Sequence, residues 1–591
     1  MSRVLPLLAL TTAQQLNLQP CDNSTAPWAS LKWLYVSSQF VLADTELCAT
    51  FQSNTTNLVM AACDASPLQT FVLDAAGTIS NPSTGQCWDS QYYGNTSGSG
   101  LGLYTCYPSQ QWDLFAFDNA TGLLHYKAAP ALCVSGGFTP PPLPTAQQIA
   151  FMDTEISLMI SYDLITQLTE VPNPQHFCIN AGGDSGFPVP SPQRFNPSND
   201  TFTDSWMEAA RAASAGYTLL VASHCSGFLQ WQSNVTLPDG TPYPYTAAQA
   251  TLWKEGKGDV VADYVASSKA AGLPFGFYLT WNYNYLFNKG DGDPPRPPSA
   301  PGQINISTAD YYTVMTATLA EVWERYKGDI FELWFDGGAS NAPLSALIHE
   351  YQPSAIVTCG DAGPNYARLV GSESGFAPYP VWSTNTRPID SGSGNPTGAF
   401  FVPAEADTPV ATKDAWFWKP SQTYRPLDEL KAVYRNTVGA NSVLELGVLP
   451  DNTGSIPSDQ MALLQALGDY VRACHIPAAA VAATSGRTNV GQSLTLTLNA
   501  STTIDRVILQ EDLTFGELVW AFFVEVSPPG GYEKNWITVA DGTAIGHKRI
   551  LYFDSGPIPV SALRVTATAL YPGATYAVWR NFAAFEPCAQ E

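Results

Sequence analysis

Three patterns of apolar and polar positions follow one another along this 591-residue chain. Up to about residue 135, apolar residues come in short runs broken by Gly, Ser, Asn and Pro, which predicts short strands and turns. From about 150 to 476, apolar runs alternate with amphipathic stretches. Strands are expected at 217–222, 275–279, 330–335, 355–358, 400–403 and 442–447, and helices at 203–215, 259–271, 308–327, 426–437 and 458–473. Strand–helix alternation of this length favours a (β/α)8-like barrel. A doubly wound sheet is the runner-up, but no Gly-x-Gly-x-x-Gly or P-loop motif accompanies it. Beyond 477, alternating runs at 494–498, 507–510, 522–526 and 563–567 with Gly/Pro turns predict a β-sandwich.

Charge narrows the partners. The formal net charge is −24 with only 13% charged residues, so an acidic surface repels phosphate and neither nucleic acid nor an anionic membrane is expected as a partner. Apart from residues 3–13, which resemble a short signal peptide (1–14), no apolar run approaches 18 residues. Asn-x-Ser/Thr sequons lie at Asn23, Asn54, Asn95, Asn119, Asn199, Asn234, Asn305 and Asn499. Together with 11 cysteines they predict a secreted or luminal (vacuole- or lysosome-like) glycoprotein. The odd cysteine total leaves at least one thiol free or paired between chains. Six scattered histidines and no Cys-x-x-Cys speak for no metal, and no cofactor is expected.

Asp336 ends an apolar, aromatic run, Ile330-Phe-Glu-Leu-Trp-Phe335, and two glycines follow it. In a barrel of alternating strands and helices, chemistry sits at the C-terminal ends of the strands. Glycoside cleavage needs two carboxylates. The expected partner is Glu405, which follows the apolar run 400–403; Asp407 and Glu373 are rival acids.

The region 150–590 resembles glycoside hydrolase family 29, the α-L-fucosidases. Trp334-Phe-Asp-Gly-Gly338 is similar to the family's nucleophile strand, and Trp253-Lys-Glu-Gly-Lys-Gly-Asp-Val-Val261 to its Gly-Lys-Gly-Asp-Val-Val helix start. Leu273-Pro-Phe-Gly-Phe-Tyr278 and Arg368-Leu-Val-Gly-Ser-Glu373 match further motifs. Pro403-Ala-Glu405-Ala-Asp407, followed by Trp416-Phe417-Trp418, resembles the acid/base segment of the subfamily selective for α-1,3/4-linked fucose. Val507-Ile-Leu-Gln510 and Ile545-Gly-His-Lys-Arg-Ile550 resemble that subfamily's discoidin-like sandwich. The resemblance implies Asp336 as nucleophile and Glu405 as general acid, then base, in a retaining double displacement. It implies that His224, Trp231, Tyr278, Trp334 and Trp416 line the sugar pocket, with fucosylated oligosaccharides or glycoproteins as substrates. Two family histidines are missing: Ser161 and Cys225 stand in their places. That leaves an enzyme acting on a related sugar, such as an α-L-galactoside, or a lectin-like protein on an inactive scaffold, as alternatives. Gly183-Asp184-Ser185-Gly186 and His224-Cys225 echo serine proteases, but in the wrong chain order.

The N-terminal region repeats internally: Cys48…Cys63 to Gln69, then Cys87…Cys106 to Gln110-x-Trp112. This resembles the ricin-B lectin β-trefoil. A third unit is split between Cys133 and Cys21, so the resemblance implies a circularly permuted trefoil with bridges Cys48–Cys63, Cys87–Cys106 and Cys21–Cys133. A lectin site would use Asp89 with Tyr92 or Tyr93. The expected division is therefore 1–14 signal peptide, 15–135 trefoil, 136–149 Pro-rich linker, 150–476 catalytic barrel and 477–591 sandwich.

Overall fold

The computed structural model describes residues 15–21, 31–43, 47–91, 94–96, 99–107, 113–136, 141–170, 187–280, 282–290, 293–339, 342–360, 365–371, 373–412, 415–530 and 535–590. The signal-peptide reading of 1–14, Tyr92, Tyr93, the Gln110-x-Trp112 motif and the Gly183–Gly186 echo lie outside these residues.

Short alternating strands make three small antiparallel sheets at the N-terminus. One joins Trp33–Val36, Gln39–Leu42, Leu47–Phe51 and Leu58–Ala62; the next joins Val72–Leu73, Ile79–Asn81, Gln86–Ser90 and Leu101–Thr105. The third is built from both ends of the segment. Asn17–Pro20 pairs antiparallel with Leu132–Ser135, placing Gln19 opposite Cys133. The core is aromatic: Trp33, Phe40, Phe71, Trp88, Phe115 and Tyr126 all lie within it. Disulfides join Cys48 to Cys63, Cys87 to Cys106 and Cys21 to Cys133. This is a trefoil-like arrangement.

The middle of the chain is a closed eight-stranded parallel barrel. Its strands are β1 (Ile156–Ile160), β2 (Tyr217–Ser223), β3 (Phe275–Thr280), β4 (Glu332–Ala339), β5 (Ile356–Gly360), β6 (Tyr366–Leu369), β7 (Ala404–Pro409) and β8 (Ser442–Val448). β1, β2, β3, β7 and β8 are buried along their whole length, as parallel strands covered by helices must be. The helices are α1 (Ala146–Asp153), α2 (Phe202–Ala212), α3 (Val260–Ala271), α4 (Thr308–Arg325), α5 (Ala342–Tyr351), α6 (Leu427–Thr437) and α7 (Ser458–Cys474). Local chemistry sets their ends. Thr145 and Gln148 close a capping box on α1, Asp259 accepts the Ala262 N–H at the start of α3, and Gly272 ends α3 at φ 69°.

The expected strand at 400–403 is corrected. Phe400–Phe401 instead pairs with Thr384–Asn385 in a separate two-stranded sheet, and the barrel strand starts at Ala404. Pro403 between them has no N–H to donate to a ladder, which divides the run. Two barrel strands escaped the hydrophobic pattern. One is β1, and the other, β6, contains Arg368, whose buried guanidinium donates to the carbonyls of Val402, Trp382 and Gly392.

The tail is a sandwich of two four-stranded antiparallel sheets. One contains Ala482–Asn489, Tyr576–Phe585, Arg506–Glu511 and Arg549–Tyr552; the other contains Ser493–Ile504, Ile558–Leu570, Val519–Ser527 and Ile537–Gly542. The first packs against the barrel end where β1 begins. There Lys548 reaches Glu155 at 2.7 Å, and Cys474 at the end of α7 is bridged to Cys588. Among the described residues, no helix is long and apolar enough to cross a membrane.

Candidate active site

Side chains alternate faces along a strand, so residues 332, 334 and 336 of β4 point the same way, into the barrel. Leu333 and Phe335 point outward, into the apolar layer beneath the helices. Asp336 sits highest of the three inward residues, toward the C-terminal end. From the adjacent strand β3, the Tyr278 hydroxyl donates to Asp336 Oδ2 at 2.5 Å. Tyr278 stacks on Trp334 at 5.1 Å and 17°, and on His224 at 5.6 Å and 23°. Phe417 meets the His224 ring edge-on at 4.7 Å. The result is a continuous wall of Trp334, Tyr278, His224 and Phe417 beside the Asp336 carboxylate. Burial pushes the His224 imidazole down to about 3, so it is a neutral ring with one N–H and one lone pair.

Glu405, the acid expected to pair with Asp336, lies deeper in the barrel. Its side chain is fully buried, accepts from the Tyr217 hydroxyl at 3.1 Å, and belongs to a trio with Glu332 and Glu445. Tyr217 and Thr358 also donate to Glu332, at 2.6 and 2.5 Å. Glu332 is four residues before Asp336 on β4, roughly 13 Å lower along the strand. The resemblance pointed to Glu405, but its environment is the sealed middle of the barrel, where burial and repulsion from Glu332 hold its carboxyl well above the usual range.

The other two acids stand higher. Asp407 is the next inward residue of β7. Burial first, then the charges of Glu373 and Asp336, lift its carboxyl to about 7. Glu373 lies in the loop after β6 at φ 58°, a strained conformation for a residue other than glycine, and its side chain is exposed. The Trp416 indole N–H donates to Glu373 Oε2 at 3.0 Å. Of these acids Glu373 is exposed, Asp336 is half-buried and Asp407 is buried close enough to both to feel their charge; Trp416 touches Glu373.

Trp231, expected to line the pocket, makes its polar contact on the side of α4. It is fully buried, and its N–H donates to Glu321 of α4 at 3.2 Å, on the outer side of the barrel. Neither replaced histidine position offers a ring nitrogen. Ser161 is buried, and Cys225 is disulfide-bonded. Cys359 on β5 is the free cysteine among the described residues, with its thiol pushed up by burial and by Glu405, Asp407 and Asp336. Phe417 and Cys359 escaped sequence reasoning. Phe417 lies inside a quoted aromatic motif, whereas nothing in the sequence singles out Cys359.

In the trefoil-like region Asp89 is buried beside Asp113. Desolvation, with hydrogen bonding to and repulsion from Asp113, raises its carboxyl to about 7.

Residues 188–474 match the alpha-L-fucosidase family model, and residues 8–112 match the ricin-type beta-trefoil lectin domain. The chain is 30% identical over 465 residues to an inferred alpha-L-fucosidase 1 of Oryza sativa subsp. japonica, covering 70% of this chain and 81% of that protein. It is 26% identical over 462 residues to alpha-L-fucosidase 1 of Arabidopsis thaliana, covering 70% of this chain and 82% of that protein. Among solved structures, an inferred alpha-L-fucosidase from Bacteroides thetaiotaomicron superposes with a TM-score of 0.64 at 30% identity, covering 76% of this chain and 100% of that one.

Proposed function

Because the chain belongs to the alpha-L-fucosidase family, and so is a glycoside hydrolase acting on fucosides, we propose that it removes terminal α-L-fucose, α-1,3/4-linked, with retention of configuration. The observation that carries this reading is Asp336: an acid at the top of β4, held by the Tyr278 hydroxyl at 2.5 Å and walled by aromatic rings. A 6-deoxysugar presents an apolar methyl, which suits such a wall. Asp336 attacks the anomeric carbon and forms a fucosyl-enzyme, releasing the aglycone oxygen. Glu373 protonates that oxygen and then draws the proton from the water that hydrolyses the intermediate. Glu373 takes this role in place of Glu405 because a general acid must reach both the leaving group and water. Asp407, carrying its proton up to about pH 7, stands between the two as a hydrogen-bond donor to the sugar. The trefoil-like region, with Asp89, is an accessory module for glycan attachment, and residues 136–149 join it to the barrel. The disulfides suit a secreted or luminal protein.

The test is hydrolysis of an aryl α-L-fucoside and of a branched α-1,3/4-fucosylated oligosaccharide, followed by NMR of the first-formed sugar. α-L-Fucose appearing first supports retention; β-L-fucose first, or turnover surviving in Asp336→Ala, overturns the mechanism. Cys225 and Ser161, which lack the family's ring nitrogens, favour a second substrate. An aryl α-L-galactoside hydrolysed faster than the fucoside would establish it.

A further inference from the structure

At the end of the barrel opposite Asp336, the sandwich and the barrel enclose a cleft of about 540 Å³. It is lined by Asp153 and Glu155 from the α1–β1 junction, His475 at the end of α7, and Gln510, His547, Lys548, Arg580, Asn581, Ile508 and Phe585 from the sandwich. Its volume lies within the range of about 300–1,000 Å³ usual for small-molecule sites. The cleft persists although the two units are clamped around it. Cys474–Cys588 bridges them, Lys548 pairs with Glu155, and Asp153 Oδ1 holds both His547 at 2.8 Å and Arg580 at 2.6 Å.

One wall group lacks a partner. His475 is 1% exposed, and its Nδ1 makes no hydrogen bond; its Nε2 lies 3.4 Å from the Tyr552 hydroxyl. Burial, and then the charges of Arg506, Lys548 and Arg435, push this imidazole down to about 2, so the ring is neutral. Depending on the tautomer, Nδ1 is either a donor or an acceptor. A hydroxyl group satisfies either state. A carboxylate satisfies only the donor, and an ammonium group only the acceptor. A buried polar atom left bare costs about 1–3 kcal/mol, and because Nδ1 is sealed from solvent a ligand hydroxyl recovers that cost only by parting the side chains over it. The neighbouring amides point to the same chemistry. Asn581 Nδ2 donates to Gln510 Oε1, and Gln510 Nε2 donates to the His547 carbonyl, which leaves Asn581 Oδ1 outside the pair as an acceptor. The charged groups are matched, two acids against Lys548 and Arg580, so neither an anion nor a cation finds an unpaired opposite. Phe585 and Ile508 add an apolar surface for C–H groups.

We propose that this cleft is an accessory saccharide-binding site that takes a neutral sugar ring of a glycan, on the side of the barrel opposite the catalytic carboxylates. Donors, acceptors and a small apolar face, without net charge, are what a ring of vicinal hydroxyls and C–H groups requires. The proposal does not rest on the identity of the catalytic acid.

The experiment is hydrogen–deuterium exchange mass spectrometry of the full chain with saturating D-galactose, N-acetyllactosamine or L-fucose. With at least one of these sugars, amide exchange in peptides spanning residues 545–549 and 580–585 should slow about threefold or more. In Asn581→Leu that protection should disappear while hydrolysis of an aryl α-L-fucoside stays at the wild-type rate. Absence of protection in the wild-type protein with all three sugars overturns the proposal, whether or not the variant folds. Protection of equal size in Asn581→Leu overturns it as well.

Discussion

The Tyr278 hydroxyl donates to Asp336 Oδ2 at 2.5 Å across the β3–β4 pair, and the same ring stacks on Trp334, two residues before Asp336 on that strand. Tyr278 therefore fixes the carboxylate by one bond and one stacking contact. A hydrogen bond to a charged acceptor is worth about 1.5–3 kcal/mol. Tyr278→Phe keeps the stack and removes only the bond. It should lower kcat on an aryl α-L-fucoside about 10- to 100-fold and leave the melting temperature nearly unchanged. An unchanged kcat would show that the bond does not hold the nucleophile.

Glu373 and Glu405 are separable by leaving group. Protonation matters most when the departing oxygen is basic. Glu373→Gln should slow hydrolysis of a phenyl or oligosaccharide α-L-fucoside by about 100-fold or more, and a dinitrophenyl fucoside far less. Glu405→Gln should show no such dependence on the leaving group. The opposite pattern would restore Glu405 as the acid.

The buried acids set the pH dependence of stability. Asp163, Glu332 and Asp407 are each raised to about 7, chiefly by burial. They keep their protons when folded and release them near pH 4 when unfolded, so the unfolded state binds fewer protons between those values. Their contribution is full below about pH 4 and is lost as pH rises through 7. Asp153 acts oppositely. It is lowered to about 2, with His547 and Arg580 outweighing its burial, so its contribution falls as pH drops below about 4. Thermal melts should give a higher Tm at pH 5 than at pH 8. Glu332→Gln should reduce that difference.

Glu445 offers a stabilising change. Both its carboxylate oxygens are buried without a hydrogen-bond partner. Glu445→Leu removes the polar atoms at similar size and should stabilise the protein by about 1–3 kcal/mol, more at pH 8 than at pH 5. A lower Tm at both pH values would mean that the trio contributes favourably as it stands.

The Cys474–Cys588 bridge closes a sequence separation of 114 residues around the sandwich. On the chain-entropy account such a loop is worth about 4–5 kcal/mol. Cys588→Ser should lower the melting transition of the sandwich accordingly, read by differential scanning calorimetry under non-reducing conditions. A transition that does not move would show that the ion pairs at Asp153 and Glu155 alone hold the contact.

Much of the architecture was legible from local pattern. Continuous apolar runs marked β2, β3, β4, β5 and β8, because a parallel strand buried on both faces has no polar side to display. β6 was invisible because Arg368 looks like a surface residue, and only the carbonyls of Val402, Trp382 and Gly392 make its burial tolerable. The strand expected at 400–403 was displaced by Pro403.

For the site, the sequence by itself determined that Asp336 would end an inward-facing set of residues on β4, since strand alternation and the two following glycines are local properties. It also determined the chemical type: an acid among aromatic rings. Which second acid faces solvent was decided by tertiary structure. Glu405 is sealed under Trp334 with Glu332 and Tyr217, and Asp407, two residues on, is buried as well, whereas Glu373 in the loop after β6 is exposed. Height along a barrel strand depends on the register of its neighbours, and burial depends on what fills each layer. Neither quantity is carried by any short stretch of residues, so the depth of Glu405 emerges only when the barrel closes.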